Sequence, residues 1–188
     1  MAVPKPQVYV GLLRGVNVGG KNKLPSATLK AACERAGFKN VQTYLQSGNV
    51  VFTAAKEPPA RIAERLQAQL KEVAGLDVSV LVRTAAELRA LLSPHPFGDP
   101  RDYPGNRVAA VFLDGTLSEA SKAKLEGLRA ANEQLKFGSQ EVFAFFPDGM
   151  GRSDLANALH GKTLGVTCTA RNWNTVSALV ALADALEA

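Results

Sequence analysis

The stretch at residues 8 to 24, VYVGLLRGVNVGGKNKL, constrains this chain most, because an apolar strand ends in an arginine and runs straight into a glycine-rich loop that carries lysines. Val8, Val10 and Leu12 alternate with Tyr9, Gly11 and Leu13, the period of a strand covered on both faces. Gly15, Gly19 and Gly20 leave the backbone free to take positive φ, and Asn17 and Asn22 are the next most tolerant residues. A loop of this kind can turn several N–H groups toward one point, and Arg14, Lys21 and Lys23 add positive charge beside it. The competing reading is a solvated β-to-α connection whose glycines serve only the turn.

The text of the loop also matches the phosphate-binding pattern G-x-x-x-x-G-K from Gly15 to Lys21, and Ala109 to Asp114 imitates the apolar strand that ends in a magnesium-binding Asp. Context argues against an NTPase. Such a loop needs Ser or Thr after the lysine to ligate the metal and a helix that begins there, whereas Asn22 follows Lys21 and Pro25 delays the helix.

Beyond the loop, Leu29, Ala32, Cys33 and Ala36 recur at helical spacing until Gly37. Residues 40 to 46 and 49 to 53 read as a tight hairpin turning at Ser47 and Gly48. Pro58 and Pro59 open a second helix with Ile62, Leu66, Leu70 and Val73 on one face, and residues 77 to 83 form a fourth strand. The order is β-α-β-β-α-β. Thr84 and Glu87 make a capping box for a short helix, and the proline-rich run SPHPFGDPRDYPGN follows at 93 to 106. The pattern then repeats: a strand at 107 to 113, a helix from Ser118 to about Arg129, strands at 133 to 137 and 140 to 146, a helix from Ser153 to Gly161 and a strand at 165 to 170. A helix at 173 to 187 closes the chain, with Trp173 on its apolar face.

These segments predict an α+β fold of two ferredoxin-like units in tandem with an extra C-terminal helix. The first unit spans residues 1–83, the linker 84–106, and the second unit with its helix 107–188. In such a unit the first two strands run the same way, so the loop after strand one and the hairpin between strands two and three share one sheet end. The candidate ligand-binding residues are therefore Arg14, Asn17, Gly19, Gly20 and Lys21 in the loop, with Ser47 and Asn49 at the hairpin. Arg supplies a planar fork suited to phosphate or carboxylate, Lys a point charge, and Ser and Asn orienting hydrogen bonds. Arg171 and Asn174 join them, because the start of the last helix favours anions, as does the start at Gly151, Arg152 and Ser153. The competing reading makes Ser153 and Asn172 or Asn174 ordinary N-caps.

Lys and Arg outnumber Asp and Glu by 22 to 17, a mild excess that admits an anionic small molecule without the polybasic signature of a dedicated nucleic-acid binder. An RNA-recognition surface would need aromatics on the two central strands, and the first unit offers only Tyr9 and Phe52 there. Phe143, Phe145 and Phe146 in the second unit are at core spacing. Cys33 and Cys168 read as buried thiols without a disulfide, and His95 and His160 belong to no metal-ligand spacing, so no metal or cofactor is expected. The N-terminal region has neither a basic segment nor a long apolar run, and no stretch approaches a membrane span, which predicts a cytoplasmic protein with no membrane partner.

GLLRGVNVGGKNKL at 11 to 24, LQSGNVVF at 45 to 52, Arg83 with Thr84, Pro96 with Phe97, GRS at 151 to 153 and TARNWNTV at 169 to 176 together resemble DUF1697, a family of unknown function. The resemblance runs nearly the full chain and implies two ferredoxin-like units. It brings no activity, substrate or catalytic residue. Where the family tends to carry lysine after the serine at 153, this chain has Asp154.

The leading expectation is binding of a small phosphate- or carboxylate-bearing ligand at the loop and hairpin. Its rivals are a sequence-tolerant nucleic-acid module and a scaffold with no ligand. No nucleophile-base pair or carboxylate dyad is legible, so no enzyme is assigned, and the sequence leaves oligomeric state open.

Overall fold

An antiparallel sheet forms wherever alternating apolar segments can be joined by short turns, and this chain builds two of them. The structure, a computed structural model, describes residues 6–160 and 164–188. Among them are eight strands in two four-stranded antiparallel sheets, together with six α-helices, an α+β architecture. The chain folds as two compact units, one of residues 1–89 with 178–188 and one of residues 90–177.

The first unit contains β1 (Gln7–Leu13), α1 (Ser26–Arg35), β2 (Lys39–Tyr44), β3 (Asn49–Ala54), α2 (Pro59–Ala74), β4 (Val80–Thr84) and most of α3 (Ala85–Leu92). Its sheet order is β2-β3-β1-β4, with Val10 opposite Val51 on one side and Arg83 on the other. Tyr9, Leu13, Val50 and Phe52 meet the buried faces of α1 (Leu29, Ala32, Cys33) and α2 (Ile62, Leu66, Leu70) in one core. Phe38 and Phe52 stack at 4.3 Å between centroids. The Tyr9 hydroxyl donates to the Glu57 carbonyl at 2.7 Å and accepts from the Glu57 N–H at 2.9 Å, which satisfies a fully buried phenol. Tyr9 and Phe52 are thus core residues and present no stacking platform for bases.

The capping box forms as expected: the Thr84 N–H donates to Glu87 Oε2 at 2.7 Å, and the Glu87 N–H returns to Thr84 Oγ1 at 3.2 Å. Arg89 on α3 bonds Asp184 and Glu187, which holds the end of the last helix within this unit and raises the guanidinium pKa, chiefly through the Asp184 bond.

The second unit contains β5 (Val108–Leu113), α4 (Glu119–Leu128), β6 (Gln134–Phe137), β7 (Glu141–Phe145), α5 (Asp154–His160), β8 (Cys168–Asn172) and the start of α6 (Trp173–Glu187). Its sheet order, β6-β7-β5-β8, repeats the first. Leu113, Val142, Phe146, Leu155 and Leu159 make its core, and Ser118 caps α4 by accepting from the Ser121 N–H at 3.1 Å. The proline-rich segment holds one 3-10 turn, Pro100–Asp102.

The last strand runs Cys168–Asn172, not residues 165 to 170, so Arg171 lies within a strand opposite Ala110 rather than in a helix N-terminus. β-branched Thr169 with Cys168 suits a strand, and the pairing continues until Asn172, whose side chain accepts from the Thr175 N–H at 2.9 Å and caps α6. The fourth strand likewise begins at Val80, later than the periodicity from Asp77 implied. The expected helix stop at Gly161 lies outside the described residues.

Candidate functional site

Two backbone bonds fix the path out of β1. The Leu13 N–H donates to the Gly48 carbonyl at 2.8 Å, and the Arg14 N–H donates to the Ser79 carbonyl at 2.9 Å. Gly48 sits at φ +74, and a Cβ there would stand 2.5 Å from Val16 Cγ2 and 2.7 Å from Leu13 Cβ, so only glycine lets the hairpin close against the strand exit.

From Gly15 the chain folds into a small lobe. The Lys21 N–H bonds the Val18 carbonyl at 3.0 Å, and Gly19 and Gly20 between them take φ +57 and +74, the two positive values of a type I′ turn. The Asn17 N–H meets the Asn22 carbonyl at 3.1 Å, and Asn22 Nδ2 donates to the Gly15 carbonyl at 3.0 Å. Asn17 and Asn22 also have positive φ, 55 and 48. The N–H groups of Asn17 and Lys21 are therefore used inside the lobe.

The Asn17 side chain fastens the lobe to its surroundings. Its Nδ2 donates to the carbonyls of Leu24 at 2.9 Å and Gln46 at 2.5 Å, while its Oδ1 accepts from the Leu24 N–H at 2.8 Å. That amide is a clamp between loop and hairpin, with its donors and acceptor engaged.

Between lobe and hairpin lies an open cleft of about 370 Å³ lined by Asn17, Gly20, Lys23, Leu24, Pro25 and Gln46. Pro25 occupies the N-cap position of α1 and offers no capping side chain, and the first turn of that helix has no acidic residue. The helix thus begins at the cleft wall with its positive dipole end uncompensated. Arg14 is half-buried and Lys21 and Lys23 are exposed. Among the described residues none of the three forms an ion pair.

The remaining sequence candidates fall in different settings. Ser47 is exposed and its Oγ accepts from Asn49 Nδ2 at 2.8 Å. Asn49 is 0% exposed and also donates to the Tyr44 carbonyl at 3.1 Å, so it braces the turn from inside. Arg171, in the second unit, is 9% exposed; its Nη1 donates to Thr169 Oγ1 and to the Ala170 carbonyl, both at 2.8 Å, and burial pulls its pKa down to about 10. Asn174 is exposed on α6, and its Oδ1 fills the space that a Cβ on Gly105 would need. Ser153 is buried and caps α5 by accepting from the Ala156 N–H at 3.1 Å.

Four cleft residues lie outside the sequence candidates: Lys23, noted there only for its charge, with Leu24, Pro25 and Gln46. Their signal was present, since each adjoins a motif residue, but only the closure of loop on hairpin reveals which side chains line the space. His95, which belongs to no metal-ligand spacing in the sequence, is not among the candidates either. It is 7% exposed, ringed by Phe97, Tyr103 and Trp173, and its Nδ1 accepts from the Phe97 N–H at 3.3 Å while Nε2 has no partner. Burial lowers its pKa.

Residues 7–143 match the family model DUF1697, described as a protein of unknown function. The chain belongs to the DUF1697 family. Among solved structures, this DUF1697 protein is similar to a conserved bacterial protein of Streptococcus pneumoniae, at 26% identity and a TM-score of 0.71, covering 95% of this chain and 99% of that one. No curated protein matches the sequence. Among the described residues no helix is long and apolar enough to cross a membrane.

Proposed function

We propose that this DUF1697 protein binds a small phosphate- or carboxylate-bearing ligand in the cleft between the Gly15 to Lys23 lobe and the β2–β3 hairpin. The observation that carries the reading is the cleft itself, where Lys23 and the uncapped start of α1 border the same space. Arg14 and Lys21 add charge from the strand exit and the lobe, with no carboxylate between residues 14 and 25. Asn17 holds the lobe in place, and Ser47 and Asn49 hold the hairpin. The same reading takes each half as a ferredoxin-like unit, residues 1–83 and 107–188, supported by the repeated β-α-β-β-α-β order and the repeated sheet order. It places the protein in the cytoplasm.

The test is a thermal-shift panel of nucleotides, sugar phosphates, carboxylates and short oligonucleotides, since a ligand of the native state stabilises it by mass action. An anionic small molecule should raise the melting temperature, and Arg14→Ala and Lys23→Ala should each abolish that rise with the unliganded melting temperature nearly unchanged. A response confined to oligonucleotides, falling steeply with salt, would replace this reading with nucleic-acid binding.

A further inference from the structure

The outer side of an edge strand carries main-chain N–H and C=O groups that another strand can pair with, and folded proteins guard such edges with bulges, charges or cover. In the first sheet the edge strand β2 is bulged: its register shifts between Lys39 and Gln42, and Asn40 between them has φ +52. In the second sheet the edge strand β6 keeps one register throughout, from Gln134 opposite Phe145 to Phe137 opposite Val142.

That register decides which groups of β6 are open. In an antiparallel pair, opposed residues that exchange hydrogen bonds alternate with opposed residues that do not. The Gly138 N–H donates to the Glu141 carbonyl at 2.8 Å, so Gly138 exchanges bonds with Glu141, Lys136 with Phe143 and Gln134 with Phe145. Leu135 and Phe137 fall between these pairs. On the far side of β7 the bond from the Leu113 N–H to the Gln140 carbonyl makes Val142 and Ala144 the exchanging partners of Val111 and Ala109, so their main-chain groups face β5. The N–H and C=O of Leu135 and Phe137 therefore point away from the sheet. Clefts lie along that side: one of about 340 Å³ lined by Gln134, Leu135 and Lys136, and one of about 230 Å³ lined by Phe137 and Gly138. Successive strand residues point to opposite faces, so clefts that touch all of them run along the edge.

The side chains choose the occupant. Leu135 and Phe137 are half-buried and pack against the core on the helix side, and exposed Lys136 stands between them on the other face. We propose that the outer edge of β6 takes up an extended peptide segment as an added antiparallel strand, one with an acidic residue opposite Lys136 and apolar residues opposite Leu135 and Phe137. An opposite charge across that non-exchanging pair is favourable, and apolar neighbours on either side of it extend the contact with Leu135 and Phe137. A second copy of this chain is the poorer fit, because the antiparallel self-pairing that uses all the open groups sets Lys136 directly opposite Lys136 of the other copy, and like charges there are destabilising. An edge this short offers far less than the roughly 800 Å² per partner of a standard interface, which favours a peptide segment over a folded surface. This site lies in the second unit and is independent of the anion-binding reading above.

The experiment is an NMR shift titration of the whole protein with three blocked peptides, Thr-Thr-Val-Glu-Val-Thr-Thr and its variants with Gln or Lys at the centre. The Glu peptide should shift the amides of Leu135 and Phe137 and bind about tenfold more tightly than the Lys peptide, with the Gln peptide between them. Lys136→Glu should invert that order. Leu135→Pro removes an outward N–H and no bond to β7, and should abolish binding of the Glu peptide, whereas Leu135→Ala, which loses side-chain packing and keeps the N–H, should retain it. Equal affinity for the Glu and Lys peptides, or an order unchanged in Lys136→Glu, would overturn the proposal. Binding that survives in Leu135→Pro, or no shift at the Leu135 and Phe137 amides with any of the three peptides, would overturn it as well. A dimer that forms with rising protein concentration and is lost in Leu135→Pro would replace the peptide with a second copy of the chain.

Discussion

The same corner is built twice in this chain and furnished differently. Leu13 and Leu113 end corresponding strands, and each donates its N–H to a hairpin carbonyl, that of Gly48 at 2.8 Å and that of Gln140 at 2.9 Å. The next N–H donates to the chain entering the fourth strand of its own sheet, Arg14 to Ser79 and Asp114 to Thr167. The backbone scheme is shared and the side chains are opposite in sign. Asp114 Oδ1 turns back to accept from the Thr167 N–H at 2.8 Å, and a short loop leads to α4. Arg14 has no such bond among the described residues, and residues 15–25 form the lobe. The second corner also has a cleft, of about 230 Å³, but its lysine, Lys122, is paired with Glu119 at 2.8 Å and the buried Glu141 shares the lining. A repeated frame thus carries an acid used for structure in one copy and cations left for solvent or ligand in the other.

The hairpin glycines give the largest expected contrast. Gly48→Ala combines a positive φ with two contacts far inside van der Waals range, and should destabilise by about 3 kcal/mol. At Gly138 in the second hairpin an added Cβ would meet nothing closer than 3.4 Å, and φ is not in the left-handed region, so Gly138→Ala should stay within about 1 kcal/mol of native. Urea melts of the two variants compare them directly. Equal losses would mean that the two hairpins close in the same way.

The next contrast sets Asn17 against Asp114. Asn17→Ala removes three hydrogen bonds that fasten the lobe, and a cost of about 2 kcal/mol follows if each contributes a little under the usual 1 kcal/mol. Asp114→Asn keeps the Oδ1 acceptor for Thr167 and should cost under about 0.5 kcal/mol. Amide hydrogen exchange should show the lobe of Asn17→Ala opening while β1 to β4 stay protected. A lobe that stays protected would remove Asn17 from its role as clamp.

Much of this was legible in the sequence for a physical reason. Strand periodicity, the capping box at Thr84, the prolines before α1 and α2, and the glycines and asparagines of the lobe all act within a few residues of themselves. The positive φ values at Gly15, Asn17, Gly19, Gly20 and Asn22 fall on the residues whose chemistry tolerates them. Strain at Leu45 was not legible, because nothing in a leucine announces a left-handed turn, and the hairpin around it imposes that conformation. The role of Asn49 was equally hidden: its residue type suits a ligand and a turn brace alike, and only its complete burial separates them. Arg171 was displaced because the last strand begins three residues later than its glycine suggested, which moved the arginine from a helix start into the sheet.

The smallest expected effect is one of pH, and it separates the halves again. Both histidines, His95 and His160, lie in the second unit and desolvation lowers the pKa of both, but His95 is the one whose residue is only 7% exposed. Phe97, Tyr103 and Trp173 surround its ring, and among the described residues no carboxylate is paired with it, so no ion pair holds an imidazolium there. Its Nδ1 accepts from the Phe97 N–H, an arrangement that only the neutral ring provides. Burial lowers its folded-state pKa below the ordinary 6.5, so below about that pH the unfolded chain binds a proton that the folded chain resists. The stability conferred by the neutral ring is therefore complete above pH 6.5 and declines as pH falls through that value toward the folded pKa. Hydrogen exchange at pH 7 and pH 5 should register the loss around residues 95 to 103 and at Trp173, with β1 and β3 unaffected. His95→Phe keeps an aromatic ring in the cluster and should flatten this slope, at the expense of the acceptor for Phe97. An identical pH dependence in His95→Phe would assign the acid sensitivity to other groups and remove the contrast between the halves on this point.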